Sequence, residues 1–477
     1  MATPINTDIS LWHRYATSPI YRGSDPYNLS ARPWIIDYTG YTHRFVSTTG
    51  DDTNDGSELS PWRTIQHAAN NVAPGTVVNI RGGVYTENAE TVDIYGAQRP
   101  TIRLNNSGTN GNYIAFRSYP GEPAIIDQGG VGSGFTTLTE SYLIIDDLTI
   151  RNCYAAGVHS FGNYWSSNLK IINNHIHNVR GEWGLNVGGI RMDFTDSGYI
   201  ANNRIHDVYI DEILGNPQTN SACVHSYQMS NTTIENNNLN DSYNGLLFKQ
   251  PVQGVGGIAF RKNRISQITE GMRLVPQGSG FWGITDSQFH NNVVTDAFRG
   301  VLYGHGNNDV NYISSNVSIY NNTFAKLVSS GGEPPAALYA NGANDMRWYN
   351  NITHGVARPI FAHHYLPTET VATEITYCDY NLYYNWAEQR LNIYGADPDY
   401  FYYNMADWRN NANTDSDMMN LVTSGPDLQS LESDPLFTDY ANNDFSLQSG
   451  SPARLAGRYG EHIGAYSQDG MLIGADW

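Results

Sequence analysis

The chain has 477 residues and a formal charge of −19; 40% of its residues are hydrophobic and only 15% charged. That length and apolar content support a large core and exclude a disordered chain, and an acidic chain without a basic cluster is no partner for a nucleic-acid backbone. No apolar run reaches the roughly 18 residues needed to span a membrane, and Cys153, Cys223 and Cys378 are too few and too scattered for a disulfide framework, so buried free thiols are expected.

Residues 1–44 carry aromatics (Trp12, Tyr15, Tyr21, Tyr27, Trp34, Tyr38, Tyr41) without a repeat, and are expected to pack along the side of the body that follows. The first residues show neither the basic nor the apolar stretch of a secretion signal, so export requires a removed signal or another route. Thr64 to Val72 reads as a short helix.

Residues 45–383 form the repeating body. Paired polar residues recur with their second member at 147, 174, 203, 237, 263, 292, 322 and 351, mostly asparagine. Between them lie short β-type runs such as Leu143-Ile144-Ile145 and Val317-Ser318-Ile319-Tyr320, too short for helices and bounded by Asn and Gly. Such units cannot bury an apolar face alone, but stacked coils can, with strands of successive coils about 4.8 Å apart. The fold expected is all-β: a parallel β-helix of about 10–12 coils, with one asparagine per coil in a ladder of amides. Residues 384–432 break the repeat as an excursion holding a short helix around Met405 to Arg409, and residues 433–477 supply the last coils and a tail.

The ends of the repeat resemble a known superfamily. Val46-Ser47-Thr48-Thr49-Gly50-Asp51-Asp52, Pro61-Trp62-Arg63-Thr64-Ile65-Gln66-His67-Ala68 and Arg81-Gly82-Gly83-Val84-Tyr85 look like the opening coil of pectate-lyase-like β-helix proteins. Asn106-Ser107-Gly108-Thr109 and Tyr119-Pro120-Gly121-Glu122-Pro123 are similar to their next coil. Asp434-Pro435-Leu436-Phe437, Asp444-Phe445-Ser446-Leu447 and Gly450-Ser451-Pro452-Ala453 resemble their final coils. The resemblance implies a right-handed solenoid with an N-terminal capping helix. It also implies a carbohydrate chain as partner, outside the cell. The fold hosts lyases, hydrolases and phage spikes alike.

Each middle coil has a second run that starts at a small residue, for example Gly189-Ile190-Arg191-Met192-Asp193 and Gly245-Leu246-Leu247-Phe248-Lys249. The second position is always apolar (Val158, Ile190, Val224, Leu246, Met272, Val301) and must face inward. Positions three and five then face outward. With coils about 5 Å apart, Arg191, Asp193, His225, Tyr227, Lys249 and Arg273 form one polar patch sized for an oligosaccharide, with His159 at its edge. Lys249, one of four lysines in the chain and flanked by Arg191 and Arg273, is expected to have a depressed pKa and to serve as a base.

That patch suits β-elimination on a uronic-acid chain. Cations neutralise the uronate, Lys249 removes the acidified C5 proton, and His225 or Tyr227 protonates the leaving oxygen. A resemblance to alginate lyases and chondroitinase B implies Lys and Arg on adjacent coils with calcium bridging the uronate. Lys249 and Arg273 match that arrangement loosely, Arg273 falling in the third column rather than beside Lys249 in the fifth. The acidic ligands upstream of the lysine are replaced here by Ser242 and Asn244, which leaves Asp193, Asp196, Asp211 and Glu212 as oxygen donors for Ca2+. Hydrolysis is the alternative, with its carboxyl pair drawn from Asp193, Asp196, Asp211, Glu212, Glu182 and Glu270. Further sugar contacts are expected from Glu182, Trp183, Gln250, Trp282, Tyr303 and His305. A third reading is a glycan-binding phage tail spike. Such spikes trimerise through an apolar outer stripe, and the alternating outward columns argue instead for a monomer or weak oligomer.

Overall fold

The computed structural model describes residues 34–87, 100–161, 165–182, 184–211, 219–250, 256–276, 282–304, 313–341, 345–365, 375–387, 389–394, 400–412 and 427–466. The repeat forms a parallel β-helix. Each full coil contributes strands to three faces. The first face is a 12-stranded parallel sheet running from Thr42–Val46 to Ile375–Asp379. The second and third faces merge into one 23-stranded sheet, because long strands such as Asn238–Gln250 and Arg264–Pro276 turn the corner between them.

The expected phase of alternation is the observed one. Val158, Ile190, Val224, Leu246, Met272 and Val301 stand opposite one another on successive coils and lie in the core. Five of the six are preceded by glycine, where a neighbouring coil comes close: a Cβ on Gly245 would sit 2.6 Å from the Gly271 carbonyl oxygen.

The corner between the first and second faces holds the asparagine ladder. Asn174, Asn203, Asn237, Asn263, Asn292, Asn322, Asn351 and Asn381 are all buried. Each side-chain oxygen from Asn203 onward accepts both the backbone N–H and the amide of the asparagine one coil earlier, for instance Asn263 N and Nδ2 to Asn292 Oδ1 at 3.0 and 3.1 Å. The residue before each ladder position adopts positive φ, as Asn173 (57°), Asn291 (55°) and Asn321 (52°) do; asparagine tolerates that conformation better than most residues. The repeat spacing needs one correction. Ile172 stands opposite Asp146, so Asp147 matches Asn173, and Leu148 holds the ladder position in its coil. Its N–H caps the ladder by donating to Asn174 Oδ1.

The short N-terminal helix is Ile65–Asn71, with Thr64 as N-cap accepting from His67 N, and it buries Ile65, Ala68 and Ala69 in the core. Trp34, Ile36, Tyr38 and Tyr41 pack on the outside of the first sheet, as expected of the aromatic segment; Trp12, Tyr15, Tyr21 and Tyr27 lie outside the described residues. The three cysteines are free and buried. The helix in the excursion, Met405–Ala412, seats Met405 and Trp408 in the core. The excursion is not a plain loop. Gln389–Tyr394 adds a rung beside Arg358–Tyr365, and Leu431–Glu432 pairs with Leu382 and Tyr383. The segment expected to form the last coils does otherwise. Phe437–Asp439 and Asp444–Leu447 make an antiparallel hairpin. Its Phe437 and Phe445 cover the outward residues Val293, Ala325, Ile352 and Leu382 of the second face.

Candidate functional site

The outer surface of the third face gathers most of the residues singled out by sequence. Along one outward column the register runs His159, Arg191, His225, Leu247, Arg273, Leu302. Along the other, Asp193, Tyr227, Lys249 and Val275 stand opposite one another. These side chains do not stand in open solvent, as their outward phase had suggested. His225 is 0% exposed, His159 1%, Arg191 7% and Lys249 8%. The turns that lead into the third-face strands fold back over the patch and bind its cations. Arg191 Nη1 donates to the Asn186 backbone oxygen at 3.0 Å, Arg273 Nη1 to that of Thr219 at 3.0 Å, and Lys249 Nζ to Asn186 Oδ1 and Asn220 Oδ1 at 3.0 and 2.9 Å. Ala222, Leu247 and Val275 form a small apolar cluster on the same outer surface.

Arg191 Nη2 lies 2.6 Å from Asp193 Oδ2, and His159 Nε2 lies 3.4 Å from the same oxygen. Burial would raise the Asp193 carboxyl, but the Arg191 guanidinium and His159 outweigh it and hold the group well below the usual carboxylate range. Burial, reinforced by Arg191, lowers His159 to about 4 against the pull of Asp193. Burial next to Lys249 and Arg191 pushes His225 far down, so its imidazole is neutral. Lys249 is lowered to about 8 by burial, then by Arg273 and Arg191, against the pull of Asp193; its Nζ also stands 5.9 Å from the centre of the Tyr227 ring.

Several buried polar atoms of this cluster find no partner among the described residues: Arg191 Nε, Arg273 Nε, Asp193 Oδ1 and both ring nitrogens of His225. Buried polar groups are nearly always paired. Here five such atoms gather on three of four successive rungs.

Other predicted residues fall elsewhere. Tyr303 occupies the fourth position of its run, which faces inward by the same alternation, and is fully buried in the core; it touches no substrate. Asp196 sits at the end of its strand, where its carboxylate accepts from Ser197, Ser230 and Asn231. Asp211 lies 4.0 Å from Arg180 on a largely exposed edge. Glu182 is exposed. Glu270 is buried one coil from Lys249, paired with Arg299 Nη1 at 2.9 Å, and raised to about 7 by burial against Arg299 and Arg273. Trp183, Glu212 and His305, and the side chains of Gln250 and Trp282, lie outside the described residues.

Of the donors expected for calcium, the described ones, Asp193, Asp196 and Asp211, do not converge on one point. Asp193 is committed to Arg191 amid a cluster of cations, Asp196 and Asp211 are engaged separately, and among the described residues no three His, Cys, Asp or Glu side chains converge on one point. Among the described residues no helix is long and apolar enough to cross a membrane.

Sequence reasoning passed over Asn186 and Asn220, which hold Lys249. It also passed over Trp165, whose ring is 45% exposed and stands edge-on to Phe194 at 6.0 Å, beside the end of the Asp193 strand. In so asparagine-rich a chain nothing marks two loop asparagines; Trp165 could have been found as an aromatic just after the coil that carries His159.

Residues 44–323 match the family model described as the Pel9A-like right-handed β-helix region. The chain belongs to the Pel9A-like β-helix family. Membership fixes the hand of the solenoid as right-handed. Among relatives of this Pel9A-like chain, the uncharacterized protein YwoF of Bacillus subtilis (strain 168) is 31% identical over 147 residues, 28% of this chain. The match spans only 29% of the length of YwoF. Among solved structures, pectate lyase Pel9A aligns with a TM-score of 0.47 at 14% identity, covering 90% of this chain and 97% of that one. A complex of XylC with xylose aligns with a TM-score of 0.41 at 11% identity, covering 75% and 87%.

Proposed function

We propose that the protein degrades a polysaccharide outside the cell, and that it does so as a lyase, by β-elimination on a uronic-acid-containing chain. The observation that carries this reading is the buried cationic cluster on the third face, with its unpaired polar atoms grouped around a lysine whose pKa lies near 8. Elimination needs positive charge at the uronate carboxylate and a base at C5. Arg191 and Arg273 supply the charge and Lys249 the base. At pH 7 a group of pKa about 8 is neutral for roughly a tenth of the time, against a few parts in ten thousand for an ordinary lysine. Neutral His225 and protonated Tyr227 donate hydrogen bonds toward the leaving oxygen. Membership of a family named for a protein titled a pectate lyase is in keeping with this chemistry.

Hydrolysis is the weaker reading, because it requires two carboxyls facing one bond. Asp193 is the one carboxylate that the described residues place inside the cluster, and its firm ionisation by Arg191 suits it to orient that arginine. The test is a panel of acidic and neutral polysaccharides scored for both ultraviolet absorbance of an unsaturated uronate and new reducing ends. Elimination gives both signals on an acidic polymer. Reducing ends without absorbance would identify a hydrolase, and no cleavage of any polymer would leave glycan binding as the function.

A further inference from the structure

The tightest contacts of Lys249 are to two amide oxygens from different coils. Asn186 directly precedes the strand Val187–Asp196, and Asn220 directly precedes Ser221–Ser230. Both are fixed from behind: the Asn220 backbone oxygen accepts from Val187 N at 3.0 Å, and the Asn186 backbone oxygen accepts from Arg191 at 3.0 Å. An ammonium has three N–H bonds, and a neutral amine has two and a lone pair. With Asn186 Oδ1 and Asn220 Oδ1 each accepting one N–H, a single direction is left over.

We propose that Asn186 and Asn220 are positioning residues that fix this third direction of Lys249 Nζ as the path of the transferred proton. The proposal rests on the elimination reading above. In the amine form the lone pair occupies that direction while the two N–H bonds stay on the asparagines. In the reaction the C5–H bond breaks and a new N–H bond forms along it. The C–H electron pair becomes the C4–C5 double bond. The C4–O bond breaks, and the oxygen leaves with its electron pair and takes up a proton. Lys249 ends as an ammonium with its first two bonds undisturbed, so little reorganisation is needed during the step.

The same contacts set the basicity of the lysine. The charged and titratable groups facing it are Arg191 and Asp193 on one coil, His225 and Tyr227 on the next, and Arg273 beyond it. Burial and the two arginines disfavour the ammonium, and the two amide oxygens favour it. Deleting one of those oxygens lowers the basicity of Lys249, while replacing an amide by a carboxylate raises it.

Four lysines (Lys170, Lys249, Lys262, Lys326) make the experiment direct. The full-length protein is labelled with ¹³Cε-lysine, the Lys249 resonance is assigned by its loss in Lys249→Arg, and its pH titration is followed beside the kinetics. In Asn220→Leu and Asn186→Leu the midpoint falls, the acid limb of kcat moves down with it, and kcat drops about tenfold or more with KM nearly constant. In the isosteric Asn220→Asp the midpoint and the limb both rise by about one unit. A resonance unmoved in both kinds of variant, or a loss carried by KM, overturns the positioning role. A resonance that moves as expected beside an unmoved activity profile refutes instead the elimination reading on which it rests.

Discussion

Replacing Asn292 by leucine, close to it in size, tests how the coils are held in register. The Asn292 side chain makes four buried hydrogen bonds. Its Oδ1 accepts from Asn263 N and Nδ2, and its Nδ2 donates to Phe260 O and Asn322 Oδ1, all between 3.0 and 3.1 Å. Leucine strands two groups, the Asn263 N–H and one amide N–H of Asn263, while the Phe260 carbonyl keeps its place in the strand ladder. Asn322 Oδ1 keeps the Asn292 backbone N–H. At about 1–3 kcal/mol for each stranded buried group, reduced where neighbours relax, the expected loss is about 2–5 kcal/mol. Asn174→Leu at the first rung strands one group, the Leu148 N–H, since the Ile145 carbonyl keeps its place in the strand ladder, and is expected to lose about 1–3 kcal/mol. Urea unfolding followed by circular dichroism, compared at the midpoint and by slope, measures both. Losses below about 1 kcal/mol, or a larger loss at Asn174 than at Asn292, would refute the account of the ladder.

Three further outcomes follow from the site. Arg273→Gln removes the cation that depresses Lys249 most, so the acid limb of kcat moves to higher pH, read from a rate profile between pH 6 and 10; an unmoved limb contradicts the electrostatic assignment. The carboxyl of Asp193 titrates lower folded than unfolded. It therefore adds stability above its unfolded value, and that stability is lost as pH falls toward the folded one. Asp193→Asn accordingly lowers the melting temperature more at pH 7 than at pH 3, and an equal drop at both refutes the ion pair's contribution. Tyr303→Phe leaves KM for any cleaved polymer unchanged, because the ring lies in the core; a several-fold rise in KM would return Tyr303 to the cleft.

The strand phase, the capping helix and the ladder could be read from the chain because each depends on a short-range rule. Side chains alternate along a strand, Thr64 can cap a helix whose first buried residue is Ile65, and asparagine suits a positive-φ corner. Leu148 escaped because the pair Asp146-Asp147 mimics the polar pairs that flank the ladder elsewhere. The same alternation that placed Lys249 outside placed Tyr303 inside; treating Tyr303 as a surface aromatic ignored its own position in the run. Burial of the patch was out of reach, since it depends on turns at Asn186 and Thr219 folding back over the sheet, and no periodicity governs a turn's path. The closing hairpin at Phe437 to Leu447 was also hidden: Asp444-Phe445-Ser446-Leu447 alternates equally well as a coil strand or a hairpin arm, and only its pairing decides between them.

The most direct measurement is the rate at which an acidic polysaccharide gains unsaturated-uronate absorbance with wild-type protein and with Lys249→Arg, across a pH range that brackets 8. Arginine keeps the charge but cannot give up its proton. Absorbance that rises with pH for the wild type, with a midpoint near the lysine's pKa, and is absent for the variant is the result expected. A Lys249→Arg protein that forms the same product at a comparable rate would contradict the account.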